Sequence, residues 1–72
     1  MSTIGERIKT LRKNKKLTQK DIAAKVGVSA AAVLHWEKDV NIPKLEYLNI
    51  LAPELDSTID YIMYGKEESS EN

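Results

Sequence analysis

The stretch from Gln19 to Lys38, twenty residues long, constrains the folding of this chain more than any other. Counted from Gln19, alanine stands at the fifth position (Ala23) and glycine at the ninth (Gly27). Ile22, Val26, Val28, Val33 and Trp36 place apolar side chains at the fourth, eighth, tenth, fifteenth and eighteenth. Each choice has a physical reason. Two helices that cross steeply need a small residue where one lies against the other, and Ala23 supplies it. A tight connection needs positive φ, which Gly27 takes at least cost. The five apolar positions bury the inner faces of both helices. The expected product is a pair of short helices joined by a turn.

The rest of the chain repeats that short-helix pattern. Thr3 with Glu6 reads as a capping box, and Ile4, Ile8 and Leu11 follow at helical spacing, predicting a helix over Ile4–Asn14. "KNKK" is a basic loop. Thr18 with Asp21 opens a second helix over Gln19–Lys25. Ser29 is a good N-cap for a third over Ala30–Glu37, with Val33 and Trp36 inward. Pro43 suits the start of a fourth, whose stripe is Leu45, Leu48 and Leu51 and which Pro53 should end or bend near Leu51. Ser57 and Asp60 open a fifth, and Gly65 closes it. "KEESSEN" has no apolar residue, so residues 66–72 are expected to be a disordered acidic tail. The expectation is one all-α domain of five short helices over residues 1–65.

At 72 residues with no cysteine, the chain cannot rely on disulfides or thiolate-bound metal, so dense helix packing must hold it. No apolar run is long enough to span a bilayer, and "MSTIGERIK" lacks a signal core, so the expected location is the cytoplasm. Catalysis has little support. His35 is the lone histidine and there is no cysteine to pair with it. No catalytic residue, metal site, cofactor or small-molecule ligand is expected. The formal net charge is zero, but its distribution is uneven. Residues 1–44 hold ten Lys/Arg against four Asp/Glu, whereas residues 45–72 hold one against seven. The basic half could meet phosphate while the acidic half limits non-specific adhesion.

"LTQKDIAAKVGVS", the "WEK" that follows, "IPKLEYLNIL" and "STIDYIMYG" together resemble the Cro/repressor type of helix-turn-helix protein of lambdoid phages and bacterial regulators. The resemblance covers about Ile4 to Gly65 and is most specific in the second and third helices. It implies a lambda-repressor-like fold and a Cro-like repressor that binds a short palindromic operator and occludes a promoter in a bacterial host cell. It implies further that the third helix enters the major groove. Ser29, Ala30, Ala31, Leu34 and His35 would then face the bases. Thr18, Gln19, Lys20, Lys38, Asn41 and Lys44 would meet the DNA backbone. Arg12 and Glu37 match a partly buried ion pair. Pro53, Leu55, Ser57, Thr58 and Tyr61 match a dimer surface, with Tyr64 nearby. So little apolar surface remains there that the expected dimer is weak or forms only on DNA, on half-sites about 34 Å apart.

The chain departs from the family in one respect: its reading helix carries alanines where amides and lysines are usual. Three explanations compete. Ala30 and Ala31 could pack on thymine C5 methyls, with Ser29 and His35 supplying hydrogen bonds and DNA shape the rest. The run could merely stiffen the helix, since alanine is the best helix former. Or the apolar surface "AAAVL" could face protein, making the chain an adaptor on a helix-turn-helix scaffold. An antitoxin-like autoregulator is a further alternative. A charged role for His35 would make affinity rise as pH falls.

Overall fold

Five α-helices follow one another in the computed structural model, which describes residues 2–66: α1 Ile4–Asn14, α2 Gln19–Val26, α3 Ala30–Glu37, α4 Leu45–Glu54 and α5 Ile59–Tyr64. No strand occurs among the described residues. Of the expected acidic tail, residues 67–72 lie outside them.

Local chemistry sets the helix starts. The Thr3 and Thr18 hydroxyls each accept a bond from the amide three residues on, and the Glu6 and Asp21 carboxylates accept one from the cap N–H. These capping boxes satisfy amides that have no partner inside the helix. Ser29 caps α3 through the Ala32 N–H. At α5 the cap is Thr58, whose hydroxyl accepts from the Tyr61 N–H, and not Ser57 as the sequence pattern predicts. The Ser57 N–H instead closes α4 on the Ala52 carbonyl at 2.9 Å, which fixes Ser57 in the preceding turn.

The core is built from Ile8, Ile22, Val33, Leu51, Leu55 and Ile62, all nearly inaccessible to solvent. Ala23 is buried, and its carbonyl takes the N–H groups of both Gly27 and Val28, at 2.8 and 3.0 Å. Gly27 sits at φ +88°, so the turn between α2 and α3 has the left-handed residue it needs.

Helix α4 departs from expectation twice. It runs through Pro53 to Glu54. Pro53 forfeits one intrahelical bond, but it lies in the last turn, and burial of Leu51, Ala52 and Leu55 on either side carries the helix past it. Leu45 is 64% exposed and no part of the core, whose α4 members are Leu48, Leu51 and Ala52. The stripe on α4 begins a turn later than its leucines indicate.

Candidate nucleic-acid interface

The position of α3 is fixed by a buried polar node. Arg12 of α1 donates through Nε to Glu37 Oε2 at 2.6 Å and through Nη2 to Oε1 at 3.1 Å. Its Nη1 donates to the Leu17 carbonyl at 2.8 Å. Gln19, first residue of α2, donates through Nε2 to Glu37 Oε1 at 3.0 Å. The Glu37 side chain is 2% exposed, so three charge-assisted donors compensate the removal of its carboxylate from water. One carboxylate thus ties the end of α3 to α1 and to the start of α2.

From this anchor α3 presents its outer side. Ser29, Ala30, Ala31 and His35 are exposed, whereas Leu34 is half-buried. Ala32, the third alanine of the run, is half-buried and packs on the core. The bare surface therefore consists of two alanines. Beside it lies a cavity of about 420 Å³ between α3, the turn before it and the segment leading into α4. Ser29, Ala31, His35, Asn41 and Lys44 line it over apolar walls of Val28, Ala32, Trp36, Ile42 and Tyr47. The Trp36 and Tyr47 rings, with centroids 5.9 Å apart, brace α3 against α4 there. The structure thus gathers three of the five expected base-facing residues and two of the six expected backbone contacts around one concavity.

The other expected contacts lie around this region. Thr18 and Lys20 are exposed at the start of α2, and Lys38 is exposed as the C-cap of α3. The Thr18 hydroxyl is engaged by the Asp21 N–H at 3.0 Å, and the Asp21 carboxylate by the Thr18 N–H at 2.9 Å. The amides of Gln19 and Lys20 lie in the first turn, where no intrahelical bond can form and a helix N-terminus favours an anion. The Thr18 backbone and hydroxyl bonds, with the nearby Lys25 charge, hold Asp21 below the ordinary aspartate range.

On the far side, Pro53 is exposed, and Ser57, Thr58 and Tyr61 are half-buried. Leu55, expected at a dimer surface, is 2% exposed and completes the monomer core, so it offers nothing to a partner. Exposed large apolar side chains occur instead at Val40, Ile42, Leu45, Ile50 and Tyr64.

Three residues carry geometry that the sequence pattern does not reveal. Arg7 is buried, donating through Nε to the Ile62 carbonyl at 3.0 Å and through Nη1 to the Ser2 carbonyl at 2.7 Å. It ties α1 to α5 and is not a surface cation. Gly5 lies so close to α3 that an added Cβ would sit 2.4 Å from the Glu37 carbonyl oxygen. Asp39 reaches back to the start of α1. The available signals were a glycine inside a helix and an acid directly after one, and neither names its partner.

Residues 8–62 match the model of the helix-turn-helix family. The chain is similar to the HTH-type transcriptional regulator DicA of Escherichia coli (strain K12), at 36% identity over 66 residues, 92% of this chain and 49% of that protein. It is similar to Repressor protein C2 of Salmonella phage P22, at 37% identity over 62 residues, 86% of this chain and 29% of that protein. It thus spans half or less of the length of these relatives. Among solved structures it is similar to the P22 c2 repressor in complex with a synthetic operator, with a TM-score of 0.88 and 35% identity over 92% of this chain and 100% of that one.

Proposed function

Since this chain belongs to the helix-turn-helix family, we propose that it is a sequence-specific DNA-binding transcription regulator, a Cro-like repressor that occludes a promoter. The observation that carries the reading is the arrangement of α3: a low outer face of Ala30 and Ala31, flanked by Ser29, His35, Asn41 and Lys44. With little side chain in the way, such a helix can seat deeply in a major groove. Ala30 and Ala31 then meet thymine C5 methyls, and half-buried Leu34 adds an apolar edge. Ser29 and His35 supply hydrogen bonds to base edges. Thr18, Gln19, Lys20, Lys38, Asn41 and Lys44 hold phosphates, which fix the register without reading sequence. Selectivity beyond these contacts comes from DNA shape.

Two copies on half-sites about 34 Å apart roughly double the contact with DNA. Pro53, Ser57, Thr58 and Tyr61 offer a small surface for such pairing, so the dimer is weak or forms on DNA. Repression by occupancy needs no catalysis and no small-molecule ligand. The site of action is the cytoplasm of a bacterial cell. No helix among the described residues is long and apolar enough to cross a membrane.

A second reading rests on the apolar walls of the same cavity together with exposed Val40, Ile42 and Leu45. An adaptor would use them to hold a protein partner. Two substitutions separate the readings. On DNA, Lys44→Ala weakens binding to all sequences about equally and lowers the salt slope by about one. Ala31→Gln instead changes which sequence is preferred. An adaptor predicts no salt-steep DNA binding for either variant to alter.

A further inference from the structure

We propose that Asp39 is a positioning residue for the phosphate-facing loop: its carboxylate, seated on the start of α1, sets the course of residues 40–44. The proposal rests on the DNA-binding reading and assigns a role to a residue outside the expected contact set. Asp39 follows the C-cap of α3 and adopts φ +61°, a left-handed conformation that costs any residue with a side chain. Glycine would sit there without strain. What the aspartate adds is a two-pronged grip. The Thr3 hydroxyl donates to Oδ2 at 2.6 Å, and the Gly5 N–H donates to Oδ1 at 2.9 Å. These partners stand 36 and 34 residues earlier in the chain, so the grip is tertiary.

The site beneath has no slack. Gly5 lets α1 approach α3 so closely that an added Cβ would lie within 2.5 Å of the Trp36 and Glu37 carbonyl oxygens. Arg7, fixed by the Ile62 carbonyl, contributes a favourable charge to the Asp39 carboxylate. From Asp39 the chain turns back, with the Val40 N–H on the His35 carbonyl at 2.9 Å. It then runs to Asn41 and Lys44 at the rim of the cavity, past Pro43, which is buried. The loop is therefore held at one end by the Asp39 grip and at the other by a buried proline. Loosening the grip leaves only the backbone bonds of Asp39 to the Trp36 carbonyl and of Val40 to the His35 carbonyl to hold Asn41 against α3.

The test compares Asp39→Gly with Asp39→Asn in the full chain. Glycine keeps the backbone conformation and removes both bonds. Asparagine tolerates the same conformation, can accept from the Gly5 N–H and can donate to the Thr3 oxygen. Both remove the same charge, so charge cancels from their difference. The probe is a duplex DNA recovered with the wild-type protein from a random pool, titrated over a range of salt at a temperature where all three proteins are folded. Asp39→Gly is expected to bind about five- to tenfold more weakly with a salt slope shallower by about one, and Asp39→Asn to stay within about twofold of wild type. Backbone amide relaxation at Val40 and Asn41 in the free protein should show more motion in Asp39→Gly alone. A purely stabilising contact would lower the melting temperature and leave these quantities unmoved in the folded protein. If wild type binds and both variants bind equally, or both more tightly through the lost negative charge, the positioning role is overturned and the DNA reading stands. If wild type shows no salt-steep binding to any duplex, the DNA reading falls and this role with it.

Discussion

Lys16, Asp39 and Asp56 all adopt left-handed backbone conformations one residue past the C-cap of a helix, at φ +59°, +61° and +54°. One position earlier, at the C-cap itself, α2 and α5 use the left-handed glycines Gly27 and Gly65. A side chain in this conformation costs about 1–2 kcal/mol, part of which glycine gives back through the freedom of the unfolded chain. The three residues differ in what offsets the cost. Asp39 holds α1, and Asp56 pairs with Lys15 at 2.7 Å on the surface. Lys16 is exposed and makes none of the side-chain bonds identified among the described residues. Lys16→Gly should therefore stabilise the fold by about 0.5–1 kcal/mol, seen as a rise in melting temperature of several degrees. An unchanged or lower melting temperature would mean that Lys16 has a compensating role. At this scale the sequence was legible where chemistry is local, except at α5, where adjacent Ser57 and Thr58 both suit a cap and Thr58 takes it. Thr3, Thr18, Ser29, Gly27 and Gly65 announce caps and turns because their partners lie within four residues. Gly5, Arg7 and Asp39 were illegible because their partners are distant in the chain.

The helices were legible as elements, since four combine a side-chain cap with apolar spacing and α4, whose N-cap Lys44 makes no side-chain cap bond, is marked by Pro43 and its leucines. The exceptions arose where propensity competed with packing. Pro53 is a helix breaker by itself, yet flanking buried side chains hold it in the last turn of α4. Leu45 extends the spacing of Leu48 and Leu51, yet it precedes the point where α4 meets the core. No spacing rule says where a helix first touches its neighbours. The assembly of α1, α2 and α3 depends instead on the Glu37 carboxylate, reached by Arg12 and Gln19. A buried ion pair broken from one side leaves a charge without compensation, at a cost of about 3–5 kcal/mol. Glu37→Gln keeps the shape and strands the Arg12 guanidinium. Urea unfolding should show a loss of about 2–4 kcal/mol, the amide retaining part of the bonding. A loss under about 0.5 kcal/mol would show that the node is ornamental to the fold.

In the whole molecule the two charge halves are partly stitched together. Arg7 and Arg12 are buried in structural bonds, while Lys15 and Lys25 reach Asp56 and Glu54 at 2.7 and 3.6 Å. Of the ten cations in residues 1–44, two are thus buried in the fold and two pair with carboxylates on the surface, and Lys20, Lys38 and Lys44 carry the cationic part of the proposed interface. Two carboxylates make stability depend on acid. The Thr3 hydroxyl, the Gly5 N–H and the Arg7 charge hold Asp39 below the ordinary aspartate value of 3.8, and the Thr18 bonds hold Asp21 below it too. Their folded forms keep the charge to lower pH than the unfolded chain does. The stability they add is thus complete above 3.8 and disappears as pH falls through the depressed values. Melting temperature should be level between about pH 7 and 5 with respect to these groups and fall below about pH 4. Asp39→Asn should make that fall shallower, and a fall of unchanged steepness would assign the acid sensitivity elsewhere.

The central claim is that a helix with two bare alanines reads DNA through thymine methyls and shape. Selection of the purified protein on a random pool of duplex DNA at moderate salt addresses it directly. The account predicts a short palindrome, with T or A enriched opposite Ala30 and Ala31 and half-sites one turn apart. Recovery of no motif, with only bulk salt-sensitive binding or none, would contradict it and turn attention to a protein partner for α3.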